Sequence, residues 1–163
     1  MRLRTIAGVF AAGLTLAAAG TQTALADPPP NSAPPEVTVT VQDTSSLMDV
    51  SCTFNALKPN HSGSRMTGTG GIKTCVGAPV TCNSESDLEF YNNFSGMWMT
   101  AATSRQSQCA PPLRSSTAAA TCVNHPGDPS VGWRTMTIGT LVSSGGQVGS
   151  GEADSPVLYV SCA

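Results

Sequence analysis

Apolar and polar residues alternate with a period of two along most of this chain. Glu36–Gln42 (EVTVTVQ) places Val37, Val39 and Val41 on one side and Thr38 and Thr40 on the other. Val50–Ala56 repeats the pattern, with Cys52, Phe54 and Ala56 opposite Ser51, Thr53 and Asn55. Leu88–Ala102 (LEFYNNFSGMWMTAA) is the centre of the pattern: two alternating runs flank the turn-rich Asn92–Gly96, which predicts a β-hairpin carrying Phe90 and Trp98. Trp133–Val142 (WRTMTIGTLV) is the strongest strand after that hairpin, with Arg134, Met136, Ile138 and Val142 on a shared face. Arg65–Cys75 is a glycine-containing strand, expected to bulge at Gly70-Gly71. Ser115–Val123 is a narrow strand whose alanines let another layer approach closely, and Val157–Cys162 closes the chain. Turns or loops are expected at Lys58–Gly63, Ser104–Arg114, Asn124–Ser130 and Ser143–Ser155. About seven short strands with no helical spacing between them predict an all-β antiparallel sandwich.

The ends read differently. Arg2 and Arg4 precede an apolar run, Ile6–Ala19, and Ala24-Leu25-Ala26 offers a small-x-small cleavage site before Asp27. Residues 1–26 are therefore expected to be a signal peptide, and nothing later is long and apolar enough to span a membrane. Residues 27–35 (DPPPNSAPP) are expected to form an extended, mobile arm. The sandwich domain would occupy 36–163. The net charge is −2, and loss of Arg2 and Arg4 makes it more acidic still. With no basic run, nucleic acid and anionic membrane surfaces are poor partners.

All six cysteines follow the leader, and an even number in an exported chain predicts three disulfides. The expected pairing is Cys75–Cys82, Cys109–Cys122 and Cys52–Cys162. No CxxC pair or neighbouring His suggests zinc, and no cofactor is expected.

The order of features resembles immunoglobulin-like or fibronectin-III-like domains. LEFYNNFSGMWMTAA is similar to their middle hairpin, an apolar strand and Gly-containing turn followed by x-W-x-x-A. WRTMTIGTLVSSGG and SPVLYVSC are similar to their final hairpin. Together with GTGGIKTC and the cysteine spacing, the chain from Val37 to Cys162 resembles a group of small secreted actinobacterial proteins without an agreed function. The resemblance implies an immunoglobulin-like sandwich in an exported monomer. It departs from antibody-type domains, since the Cys–Trp–Cys arrangement of their two sheets is missing.

Three kinds of site are candidates: a catalytic one, a disulfide-bounded loop and an aromatic platform. His61 and His125 are the available neutral-pH bases, and His125 has Asp128 and Ser130 nearby. Turn formation explains that whole segment, no G-x-S-x-G occurs, and no enzyme is expected. Glu85 and Asp87 form an acidic pair with Glu89 nearby, best explained as solvated charges. A Cys109–Cys122 loop would present Leu113 or Arg114, stiffened by Pro111-Pro112, as a protease inhibitor presents its contact residues; the plain alternative is a stapled connector. Tyr91, Trp98, Trp133 and Tyr159 would make a carbohydrate-stacking platform if exposed, although a sandwich with 5% aromatic residues is expected to use its tryptophans in the core. The expectation is a secreted, non-enzymatic binding domain whose partner is an extracellular protein or a cell-envelope glycan, engaged through loops at one end. Protease inhibition is the alternative.

Overall fold

The structure, a computed structural model, describes residues 33–43, 49–108, 114–122 and 129–162. The signal-peptide segment, Leu113, His125 and Asp128 lie outside these residues. In chain order the strands are β1 (Glu36–Val41), β2 (Val50–Ser62), β3 (Arg65–Val76), β4 (Thr81–Asn92), β5 (Met97–Thr103), β6 (Ser107–Gln108), β7 (Ser115–Thr121), β8 (Val131–Val142), β9 (Val148–Asp154) and β10 (Leu158–Val160). No helix occurs among the described residues.

All pairings are antiparallel, in two sheets. A four-stranded sheet has the order β1-β2-β3-β7, and a six-stranded sheet has the order β10-β8-β4-β5, with β6 beside β4 and β9 beside β8. Since β4 pairs with β8 from Thr81 to Phe90, β5 and β6 share the outer edge of β4. Likewise β9 and β10 share the outer edge of β8. The central hairpin is as expected: Gly96 turns with φ 68°, and the Asn92 side chain accepts hydrogen bonds from the backbone N–H groups of Phe94 and Ser95.

Several expectations are corrected. Lys58–Gly63 is not a turn; β2 runs to Ser62, and the reversal is confined to Gly63-Ser64, with Gly63 at φ 57°. Pro59, which has no N–H for a ladder, falls in a register shift between Leu57 and Asn60. Gly70 and Gly71 pair regularly with Ala56 and Asn55, and the bulge comes instead between Thr53 and Phe54. Ser143–Ser155 contains β9. This strand is built from small residues because it packs on β1: a Cβ at Gly149 would sit 2.7 Å from Val41, and one at Gly151 2.8 Å from Val39. The proline arm is docked at its end. The Pro35 carbonyl accepts from the Ala56 N–H (2.9 Å) and the Pro34 carbonyl from the Asp154 N–H (3.0 Å), joining the two sheets at this edge.

The expected disulfide pairing is overturned. Cys52 is bonded to Cys75 and Cys122 to Cys162. Cys52 and Cys75 are directly opposed on β2 and β3, with Cα atoms 4.1 Å apart. Pairs in direct register bring Cβ atoms close enough to bond without bending the chain, a closeness that loop length alone does not reveal. Cys122, at the end of β7, ties the four-stranded sheet to the chain terminus beyond β10.

Among the described residues the interior has two apolar clusters. One gathers Val39, Val41, Val50, Phe54, Ile72 and Leu141; the other gathers Met66, Leu88, Ala118 and Trp133. Buried hydroxyls lie among the facing strands: Ser86 Oγ is 3.2 Å from Thr137 Oγ1, and Ser104 Oγ donates to Ser116 Oγ at 2.9 Å. Glycines of β3 admit them, since a Cβ at Gly68 would lie 2.7 Å from Thr135 Oγ1. Ser86, Thr137, Ser104 and Ser116 satisfy one another and so avoid much of the cost of burial, whereas Thr135 Oγ1 and Ser84 Oγ find no partner among the described residues.

Candidate functional site

The outer face of the six-stranded sheet carries the densest polar chemistry among the described residues. Residues directly opposed on neighbouring antiparallel strands share a face. The register therefore aligns Glu85, Ile138 and Glu152 in one row, Asp87, Met136 and Asp154 in the next, and Glu89 with Arg134 in a third. Arg134 is the hub. Its Nε donates to Glu89 Oε2 at 2.6 Å and its Nη1 to Asp154 Oδ2 at 2.8 Å. The side chains of all three are nearly closed to solvent, at 8%, 9% and 0% exposed for Arg134, Glu89 and Asp154.

Trp98 forms the lid of this cluster. The guanidinium carbon of Arg134 stands 4.6 Å from the Trp98 ring centroid, a cation–π stack. Tyr91, opposite Trp98 on β4, meets it edge-on, with centroids 5.4 Å apart and planes at 65°. Arg134 and Tyr91 thus both hold the Trp98 ring, and the residue remains half-buried. Five carboxylates (Glu85, Asp87, Glu89, Glu152 and Asp154) share the face with one guanidinium. Such a surface repels polyanions, and the carboxylates of Glu85, Asp87 and Glu152 can accept hydrogen bonds from hydroxyl-rich ligands.

The sequence candidates fare unevenly. Glu85 and Asp87 do share a face and are half-buried, but Glu89 is a buried ion-pair partner and not a solvated charge. The two tryptophans separate: Trp133 is core, 6% exposed, and Trp98 is on the outer face. Tyr91 is buried beside Trp98, and Tyr159 is exposed on β10. The inhibitor loop loses its staple, because Cys122 is bonded to Cys162. Arg114 is exposed; Leu113 is not among the described residues. His61 lies on β2, not in a turn, and takes part in no ion pair among the described residues. Ser130 is exposed, while the His125 and Asp128 of the suggested triad lie outside the description. The sulfurs of Cys52, Cys75 and Cys82 lie within 4.8 Å of one another, yet all three cysteines are disulfide-bonded and offer no thiolate to a metal.

Sequence reasoning missed Arg134 and Asp154. The signal for Arg134 was present, an arginine alternating with Met136 and Ile138 on one strand face. Asp154 was hidden in the segment taken for a loop. Comparison of the chain with protein-family models, curated proteins and solved structures yields no match.

Proposed function

We propose that this protein is an exported, non-enzymatic binding domain that engages a neutral cell-envelope glycan through the Trp98 face of the six-stranded sheet. The observation that carries the proposal is the fixing of Trp98: one ring face rests on Arg134, itself clamped between Glu89 and Asp154. A flat aromatic surface held in place before binding loses little entropy when a sugar ring stacks on it. Glu85, Asp87 and Glu152 lie on the same face of the sheet as acceptors for sugar hydroxyls, and their summed charge disfavours nucleic acid and anionic polymers. The binding surface is a sheet face and not the loops at one end.

The protein acts as a monomer outside the cytoplasm, in keeping with its disulfides. Among the described residues no helix is long and apolar enough to cross a membrane. The immunoglobulin-like reading is supported by the larger sheet, whose order β10-β8-β4-β5 with β9 beside β8 resembles G-F-C-C′. The smaller sheet is a variation, with β2 neighboured by its own hairpin partner β3. With Cys52–Cys75 and Cys122–Cys162 bonded, three disulfides among six cysteines require Cys82 to pair with Cys109. Peptide mapping of the unreduced protein is expected to recover a Cys82–Cys109 peptide; either cysteine found alkylated or joined elsewhere contradicts the assignment.

Sedimentation with insoluble envelope polysaccharide tests the function. Wild type is expected to pellet and to be released by soluble oligosaccharide, and Trp98→Ala to remain in the supernatant with its fold intact. Equal pelleting of the two proteins would remove Trp98 from the site.

A further inference from the structure

The two sheets close on one side and part on the other. At the β1/β9 edge, Gly149 and Gly151 let the layers meet. At the β5/β7 edge a cavity of about 410 Å³ remains between them, within the size range of small-molecule sites. The six-stranded sheet contributes Phe90, Ala101, Val131 and Trp133 to its walls, and β7 contributes Ala120 and Thr121. No ionisable side chain is among the described lining residues. The alanines explain the space: Ala101 and Ala120 stand at the edge strands where larger side chains would fill it. The Cys122–Cys162 disulfide, whose Cys162 also lines the cavity, pins the sheets at this end with Cα atoms 5.3 Å apart.

Two further observations point to a ligand. Met99 pairs with Phe90 across β4 and β5, so it extends the same apolar face outward; it is 43% exposed, and Met97, two residues earlier, is 61% exposed. Unbranched, polarizable methionines beside an apolar site adapt to ligands of variable shape. Trp133, which lines the cavity, has its indole N–H buried with no hydrogen-bond acceptor among the described residues. Unpaired buried donors are uncommon in folded proteins.

From these we infer that the cavity between β5 and β7 is a second binding site, one that takes an uncharged, mainly hydrocarbon molecule bearing one hydrogen-bond-accepting oxygen. The hydrocarbon fills the space between the sheets and the oxygen accepts from Trp133 Nε1. This site is separate from the Trp98 face and does not depend on the glycan reading. The two tryptophans of the chain give two indole N–H resonances, one for each site.

Titrating the oxidised, full-length protein with 2-undecanone, and in parallel with undecane, tests the inference by NMR. The ketone is expected to bind saturably, to shift the Trp133 indole resonance and leave that of Trp98 in place, and to bind at least tenfold more tightly than the alkane. Ala120→Leu, which fills the cavity from one sheet, is expected to abolish binding; Ala101→Leu does so from the other, should the first variant fold poorly. Absence of saturable binding by either probe overturns the inference. So does ketone binding that persists in a folded cavity-filled variant. Equal binding of ketone and alkane with an unmoved Trp133 resonance overturns the assignment of the oxygen.

Discussion

Arg134→Ala is expected to lower folding stability by about 3–5 kcal/mol, measured by urea denaturation, because it strands two buried carboxylates. Glu89 and Asp154 both lose their contact with Arg134, and both side chains are nearly closed to solvent. Against a total stability of about 5–15 kcal/mol, such a loss removes much of the margin. Arg134→Lys is expected to recover only part of it, since a single ammonium does not reproduce the two-pronged contact from Nε and Nη1. Replacing Arg134, Glu89 and Asp154 together by Met, Leu and Leu is expected to be far less damaging than Arg134→Ala alone. In that triple variant Trp98 loses its cationic support, so glycan binding is expected to fall while the fold survives. That separation distinguishes a cluster retained to position Trp98 from one retained for stability. A triple variant that binds as well as wild type would place the cluster outside function.

Gly139→Ala is expected to cost about 3 kcal/mol, the upper part of the usual range for overpacking. A Cβ at Gly139 would overlap the ring atoms of Phe54, which is itself fully buried in the first core cluster. Neither side can retreat: Gly139 lies in the middle of β8, paired to Ser84 on one side and Gly151 on the other. Phe54→Leu alone is expected to destabilise by leaving a cavity. In the double variant the shorter side chain makes room for the new methyl, so the combined loss is expected to be smaller than the sum of the single losses. Thermal melts of the four proteins provide this cycle, and simple additivity would mean that Gly139 and Phe54 do not oppose one another across the sheets.

Much of the architecture was visible in the period-two pattern. Val37, Val39 and Val41, the Leu88–Ala102 hairpin and the long strand around Trp133 all came out as strands in antiparallel sheets. The hidden parts share a physical cause, since each depended on contacts between layers. β9 has glycine where a strand normally shows a β-branched side chain, because its neighbour β1 supplies the valines. Pro34 and Pro35 look like free chain until their carbonyls meet donors on two different sheets. The disulfides followed strand register instead of proximity in sequence, so Cys75 joined Cys52 across a ladder and not Cys82 beyond the next turn. At the candidate site, Trp98 was named from its chemistry, but its support was not. Arg134 lies far from Trp98 in sequence, and Asp154 sat in a stretch whose composition spelled loop.

The most direct test of the Trp98 face is an NMR titration with solubilised neutral envelope oligosaccharide, read at the two indole N–H resonances. The account predicts a saturable shift at Trp98 that free sugar reproduces, with Trp133 unmoved. A shift confined to Trp133, or no shift at saturating oligosaccharide, would contradict it.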